Sequence, residues 1–147
     1  MPRSVSVPRS SDTPLAEKLG LKSGARLMLA GEIPPGFVQS LAPLPAGVTP
    51  LRWPDDHTTG PADVIVYFTR KRSALMQDLI GLTAAITPAG GLWVAWPKRI
   101  SKVQTDMTED VVREVALPIG VVDNKVCALD ETWAGLRLVW RKSNRPK

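Results

Sequence analysis

The chain has 147 residues, 44% hydrophobic and 22% charged, a make-up that fits one globular domain and excludes a disordered chain. Its formal net charge of +5 permits an anionic partner without requiring one. The single cysteine, Cys127, rules out an intramolecular disulfide and predicts a cytoplasmic location, and no run approaches the roughly 18 apolar residues of a membrane span.

Residues 1–12, MPRSVSVPRSSD, read as a flexible arm that lacks the apolar segment of a secretory signal. A single α/β domain is expected over 13–142, with a basic tail at 143–147. At TPLAEKLGLKSG, Thr13 is placed to cap a short helix, Pro14 to open it and Gly20 to stop it. ARLMLA, 25–30, is an apolar run fit for a buried strand. A short helix over 35–41 follows, because proline is tolerated in a first turn. VTPLRW, 48–53, is a weaker strand; Pro50 offers no N–H to a ladder, which assigns it to a sheet edge.

WPDDHTTGPA is a polar turn leading into DVIVYF, 63–68, the clearest buried strand. In the helical segment that follows, Leu75, Leu79, Leu82 and Ile86 recur every three or four residues. TPAGG reads as its stop and GLWVAW, 91–96, as the next buried strand. A second long helix is expected over 108–119, capped by Thr105 or Thr108, with Val111, Val115 and Ile119 on one face. A strand at 126–129, the turn DETWAG and GLRLVWRK complete the chain. In that last strand Leu136, Leu138 and Trp140 alternate with Arg137, Val139 and Arg141.

Strands alternating with helices predict an α/β fold, a mostly parallel six-stranded sheet with helices on both faces. DETWAG is too short for a parallel crossover, so the closing strand is expected to be antiparallel.

This pattern resembles the Rossmann-like fold of the class I S-adenosylmethionine methyltransferases. The resemblance rests on PADVIVYF, a helix ending in TPAGGLWVAW, another helix and a closing hairpin, and it covers about 24–142 as a topology. It implies S-adenosylmethionine as a cofactor. It also implies a Gly-rich loop after the first strand and an acid at the end of the second. Here the loop is AGEIPPGF, with two prolines between Gly31 and Gly36, and the acids Asp55 and Asp56 come late. One strand–helix unit of that family is missing before DVIVYF. The phrases TPLAEKLGLKSG and WPKRISKVQTDMTEDVVREVALPIGVVDNKVCALDETWAGLRLV are also similar to a family of small, uncharacterised bacterial proteins. That second resemblance implies no assigned activity.

Elimination removes several chemistries. One His and one Cys far apart do not make a zinc site. His57 sits in a polar turn with no G-x-S-x-G elbow elsewhere, and no Walker loop occurs. Cys127 reads as a small core residue.

Position says more. In open α/β sheets ligands bind at the carboxyl ends of parallel strands. DVIVYF ends in Thr69, Arg70, Lys71 and Arg72; GLWVAW leads into Lys98, Arg99 and Lys102. If the two strands are neighbours, six cations share one rim, beside a helix start that Thr69 or Ser73 is placed to cap. The alternative is a solvated loop whose acids, Asp106, Glu109 and Asp110, pair with those cations. Asp123, Asn124 and Lys125 interrupt an apolar run and form either a bulge or a second polar group at the same pocket. Trp96 and Trp133 either stack on a base or pack the core.

The sequence therefore favours a non-enzymatic binding or regulatory domain on a degenerate methyltransferase-like scaffold. Its expected partner is a nucleotide, another phosphate-bearing ligand or an acidic protein. Two alternatives stay open. One is a shortened S-adenosylmethionine-dependent methyltransferase or nucleotide-using transferase, with residues 31–36 at the cofactor and Asp106 or Asp123 accepting a proton. The other is weak nucleic-acid binding.

Overall fold

The computed structural model describes residues 13–54 and 60–142. The predicted arm, tail and His57, with Asp55 and Asp56, lie outside the described residues.

The central strands are apolar on both faces, so both faces need cover. In β1 (Leu27–Gly31), Met28 and Ala30 face one core and Leu27 and Leu29 the other; in β3 (Ala62–Phe68), Ile65 and Tyr67 alternate likewise with Val64, Val66 and Phe68. The first core is closed by α3 (Arg72–Ala84), through Leu75, Leu79 and Leu82, and by α4 (Glu109–Ala116), through Val112 and Ala116. The second is closed by two single-turn helices, α1 (Leu15–Lys18) and α2 (Phe37–Ser40), with Leu19, Phe37 and Leu41. Burying such a side chain contributes roughly 1.5–3 kcal/mol. Trp93 is fully buried on the second face, and its indole N–H donates to the Leu19 carbonyl at 3.2 Å, which removes the cost of hiding a polar group there.

The sheet order is β2-β1-β3-β4-β6-β5. β2 (Pro50–Arg52) lies at an edge, as Pro50 requires, and β1, β2, β3 and β4 (Ile86–Pro97) run parallel. β6 (Trp133–Trp140) runs antiparallel to both neighbours, so the closing strand inserts between β4 and β5 (Val121–Ala128) and leaves β5 at the edge.

Three local expectations change. TPAGG does not separate helix from strand; it is a bulged start of β4, where Ala62 opposite Ile86 is followed directly by Val64 opposite Gly91. β5 begins at Val121 rather than near Val126, and a register shift between Asp123 and Lys125 makes Asn124 a bulge. In α4 the fully buried positions are Val112 and Ala116. Val111, Val115 and Ile119 are half-buried on the flank of the same core.

Candidate anion rim and the switch-point crevice

β1 connects through α2 to β2 on one side, whereas β3 lies on its other side. The strand order thus reverses between β1 and β3, and ligands of open α/β sheets bind in the crevice at the carboxyl ends there. In this chain the crevice is bridged by the chain itself. Gly31 has φ 77°, and a Cβ there would overlap the Phe68 carbonyl oxygen and stand 3.1 Å from Tyr67 Cε1. Only glycine permits that approach. The next amide, Glu32 N–H, donates to Phe68 O at 2.8 Å. The Glu32 carboxylate then accepts twice from Arg70, at 2.9 Å from its amide and 2.6 Å from its guanidinium Nε. Burial pushes the Glu32 carboxyl up, but the Arg70 amide and guanidinium outweigh it and hold the group below its ordinary 4.5.

β3 and β4 are adjacent and parallel, so their cationic ends do share one rim. Lys98 donates its amide to the Thr132 carbonyl at 2.7 Å and its ammonium to the Asp130 carbonyl at 2.9 Å, which fixes the start of the loop. A single 3-10 turn follows at Arg99–Ser101, and Lys102 closes it in the left-handed region at φ 61°. Thr105 Oγ1 donates to the Arg70 carbonyl at 2.7 Å, and Asp106 Oδ1 accepts the Arg72 amide at 2.7 Å. Asp106 thereby caps α3, with Thr69 Oγ1 accepting the Lys71 amide at 3.1 Å. The cap comes from Asp106 across the rim, not from Ser73.

The acids do not neutralise the loop cations. Glu109, Asp110 and Asp123 all bind the Arg113 guanidinium, Asp110 at 3.3 Å and Asp123 at 3.2 Å, and Glu114 lies 3.7 Å from Arg72. Among the described residues, no ion pair or side-chain hydrogen bond holds the charged ends of Lys71, Arg99 or Lys102. Two open grooves flank Gln104 and Thr105. One, about 550 Å³, has Arg70, Lys71 and Ser73 on its wall; the other, about 460 Å³, has Arg99, Lys102 and Trp96. Thr108 Oγ1 accepts the Val111 amide at 3.1 Å and caps α4.

The remaining candidates fall elsewhere. Asp123 is bound to Arg113, Asn124 is the bulge, and Lys125 lies on the α1 face away from the rim. Trp133 is buried and packs edge-to-face on Phe68 with ring centres 5.2 Å apart; Trp96 is buried in the other core. Both indoles pack the cores, the second of the two roles open to them. Glu32 was the residue that the sequence pattern did not single out. Its signal is its place, an acid directly after a glycine at a strand end.

No protein-family model matches the sequence, and neither does any curated protein. The fold has clear counterparts among solved structures. A putative type 11 methyltransferase from Sulfolobus solfataricus superposes with a TM-score of 0.64 at 12% identity, over 97% of this chain and 98% of that one. The magnesium protoporphyrin IX methyltransferase from Synechocystis PCC 6803, solved with bound SAH, gives 0.61 at 14% identity over 90% and 82%. A SAM-dependent methyltransferase from Aquifex aeolicus gives 0.55 at 13% over 84% and 86%. This chain has the fold of S-adenosylmethionine-dependent methyltransferases. Among the described residues, no helix is long and apolar enough to cross a membrane.

Proposed function

We propose that the chain is a binding domain on a methyltransferase fold that takes an anionic, phosphate-bearing ligand at the rim formed by Lys71, Arg99 and Lys102. The Glu32–Arg70 bridge carries this reading. The crevice that would receive a cofactor is occupied by the chain's own carboxylate and guanidinium, while three cations beside it are unpaired among the described residues. Pro34 and Pro35 further remove two backbone donors from the loop after β1.

A second reading, a shortened S-adenosylmethionine-dependent methyltransferase, is supported by the likeness in fold and by solved neighbours whose names include SAM or SAH. The side chains of the Arg70–Glu32 pair are 48% and 37% exposed. A pair so exposed contributes only about 0–1 kcal/mol, so a cofactor is able to displace Arg70.

Calorimetric titration with SAM, SAH and adenosine monophosphate separates the two. The rim reading expects the nucleotide to bind, expects Lys71→Glu with Arg99→Glu to abolish that binding, and expects neither SAM nor SAH to bind at millimolar concentration. Tight SAH binding insensitive to the rim substitutions overturns it and supports the transferase.

A further inference from the structure

A second cationic surface lies on the α1 face at the amino ends of β3 and β4, far from the rim in the fold. Lys18, Lys22, Lys125 and Arg137 line one groove of about 500 Å³ with Asp63, Thr87 and Gly90. The α1 turn brings Lys18 and the loop behind it brings Lys22 and Ser23. The bulged edge strand brings Lys125, and β6 brings Arg137, which stands opposite Lys125 in the sheet register.

Arg137 is the anchor of the groove. Its guanidinium lies over the backbone of β4 at Gly91, where a Cβ would come within 2.8 Å of Nη2. The missing side chain at position 91 makes the bed for the guanidinium. Arg137 is half-buried, and burial alone lowers its proton affinity, with no carboxylate acting against that. Asp63, the carboxylate on the groove wall, instead accepts the Arg26 amide at 2.9 Å. Among the described residues, no ion pair or hydrogen bond satisfies the Arg137 side chain. A guanidinium does not shed its proton, so half-burying one without a counterion is costly unless something else supplies the anion.

We infer that this groove is a second anion site, for a ligand carrying adjacent phosphate groups, with Arg137 as its fork and Lys18, Lys22 and Lys125 as surrounding charge. A planar guanidinium matches phosphate oxygens two at a time, and lysines add point charges around it. Ser23 and Thr87, both residues with a hydroxyl donor, also line the groove. The groove is open and larger than one phosphate fills, which favours a pyrophosphate-type or polyphosphate chain, or a stretch of nucleic-acid backbone. Those two sources share the chemistry.

The test is amide NMR of the full chain titrated with pyrophosphate and, separately, with a single-stranded oligonucleotide, at constant ionic strength. The expected shifts fall on Ser23, Gly24, Gly90 and Lys125. Lys22→Glu with Lys125→Glu, both on the surface, should weaken binding at least tenfold, and Arg137→Gln should do the same. Gly91→Ala adds a Cβ that meets only the flexible end of Arg137; it should leave the fold intact yet weaken binding several-fold. Lys71→Glu with Arg99→Glu should leave these shifts unchanged, so failure here is distinguishable from failure at the rim. Pyrophosphate binding assigns a free ligand, and binding of the oligonucleotide alone assigns the backbone. Shifts at the rim only, no shifts with either probe, or unaltered affinity in Arg137→Gln overturns the inference.

Discussion

Asp106 Oδ1 accepts the Arg72 amide hydrogen at 2.7 Å, so the loop that follows β4 supplies the N-terminal cap of the helix that follows β3. A helix start carries partial positive charge and unpaired N–H groups, and here a carboxylate of the same chain meets both. The loop is thus fastened to its neighbour through Thr105 and Asp106, while Arg99 and Lys102 project from its other part.

Replacing Asp106 by Ala removes that cap. The expected cost is about 1 kcal/mol, seen as a fall of a few degrees in the thermal midpoint. Asp106→Asn should recover most of it, since the amide oxygen still accepts. A midpoint unchanged in Asp106→Ala would show that the cap contributes nothing.

Gly31→Ala tests the contact that zips β1 to β3. The substitution demands a left-handed backbone from alanine and drives its Cβ into a main-chain oxygen, which has no flexible end to yield. A loss of about 2–4 kcal/mol is expected in urea unfolding. Gly20→Ala shares the positive φ but meets nothing within 4 Å. It should cost only about 1 kcal/mol, so the difference between the two isolates the overlap.

The Glu32–Arg70 bridge has a pH signature. The Glu32 carboxyl is held below its unfolded value of 4.5. A depressed carboxyl stabilises the folded state above that value, and the contribution is lost as pH falls through the lower folded value. Wild type should therefore be more stable than Glu32→Gln at neutral pH, with the gap narrowing below about pH 4.5. Thermal midpoints of the two proteins across that range measure it. A gap that stays constant would mean Glu32 acts through shape alone.

The sheet was legible because apolar runs such as DVIVYF and GLWVAW admit little else, and the edge place of β2 followed from Pro50. That the cationic ends of β3 and β4 lie at one edge of the sheet was legible for the same reason, since parallel neighbours must present their carboxyl ends together. What the sequence did not disclose were side-chain partners across the fold. Glu109 and Asp110 look available to Lys98, Arg99 and Lys102 by spacing, yet helix periodicity turns both toward Arg113, where the β5 bulge also brings Asp123. Arg137 read only as one of the residues alternating with Leu136, Leu138 and Trp140; its half-burial depends on Gly91 of a different strand. TPAGG misled because glycines that signal a stop also permit a bulge.

Tyr67 gives the remaining test, since it is the one tyrosine of the chain. Its hydroxyl donates to Asp78 Oδ2 at 2.7 Å beneath the rim. Burial first, and then the Asp78 carboxylate, push its ionisation well above the ordinary 10.0. A group whose folded value is raised stabilises the protein fully below its unfolded value, and that contribution disappears as pH rises through the folded one. Native protein at pH 10 should therefore show no tyrosinate absorbance, and the signal should appear together with alkaline unfolding. Tyr67→Phe keeps the ring and removes the bond, costing about 1 kcal/mol at neutral pH, and it should flatten the loss of stability above pH 10. Tyrosinate absorbance rising near pH 10 in a chain that remains folded would place the hydroxyl in water and refute the buried pair.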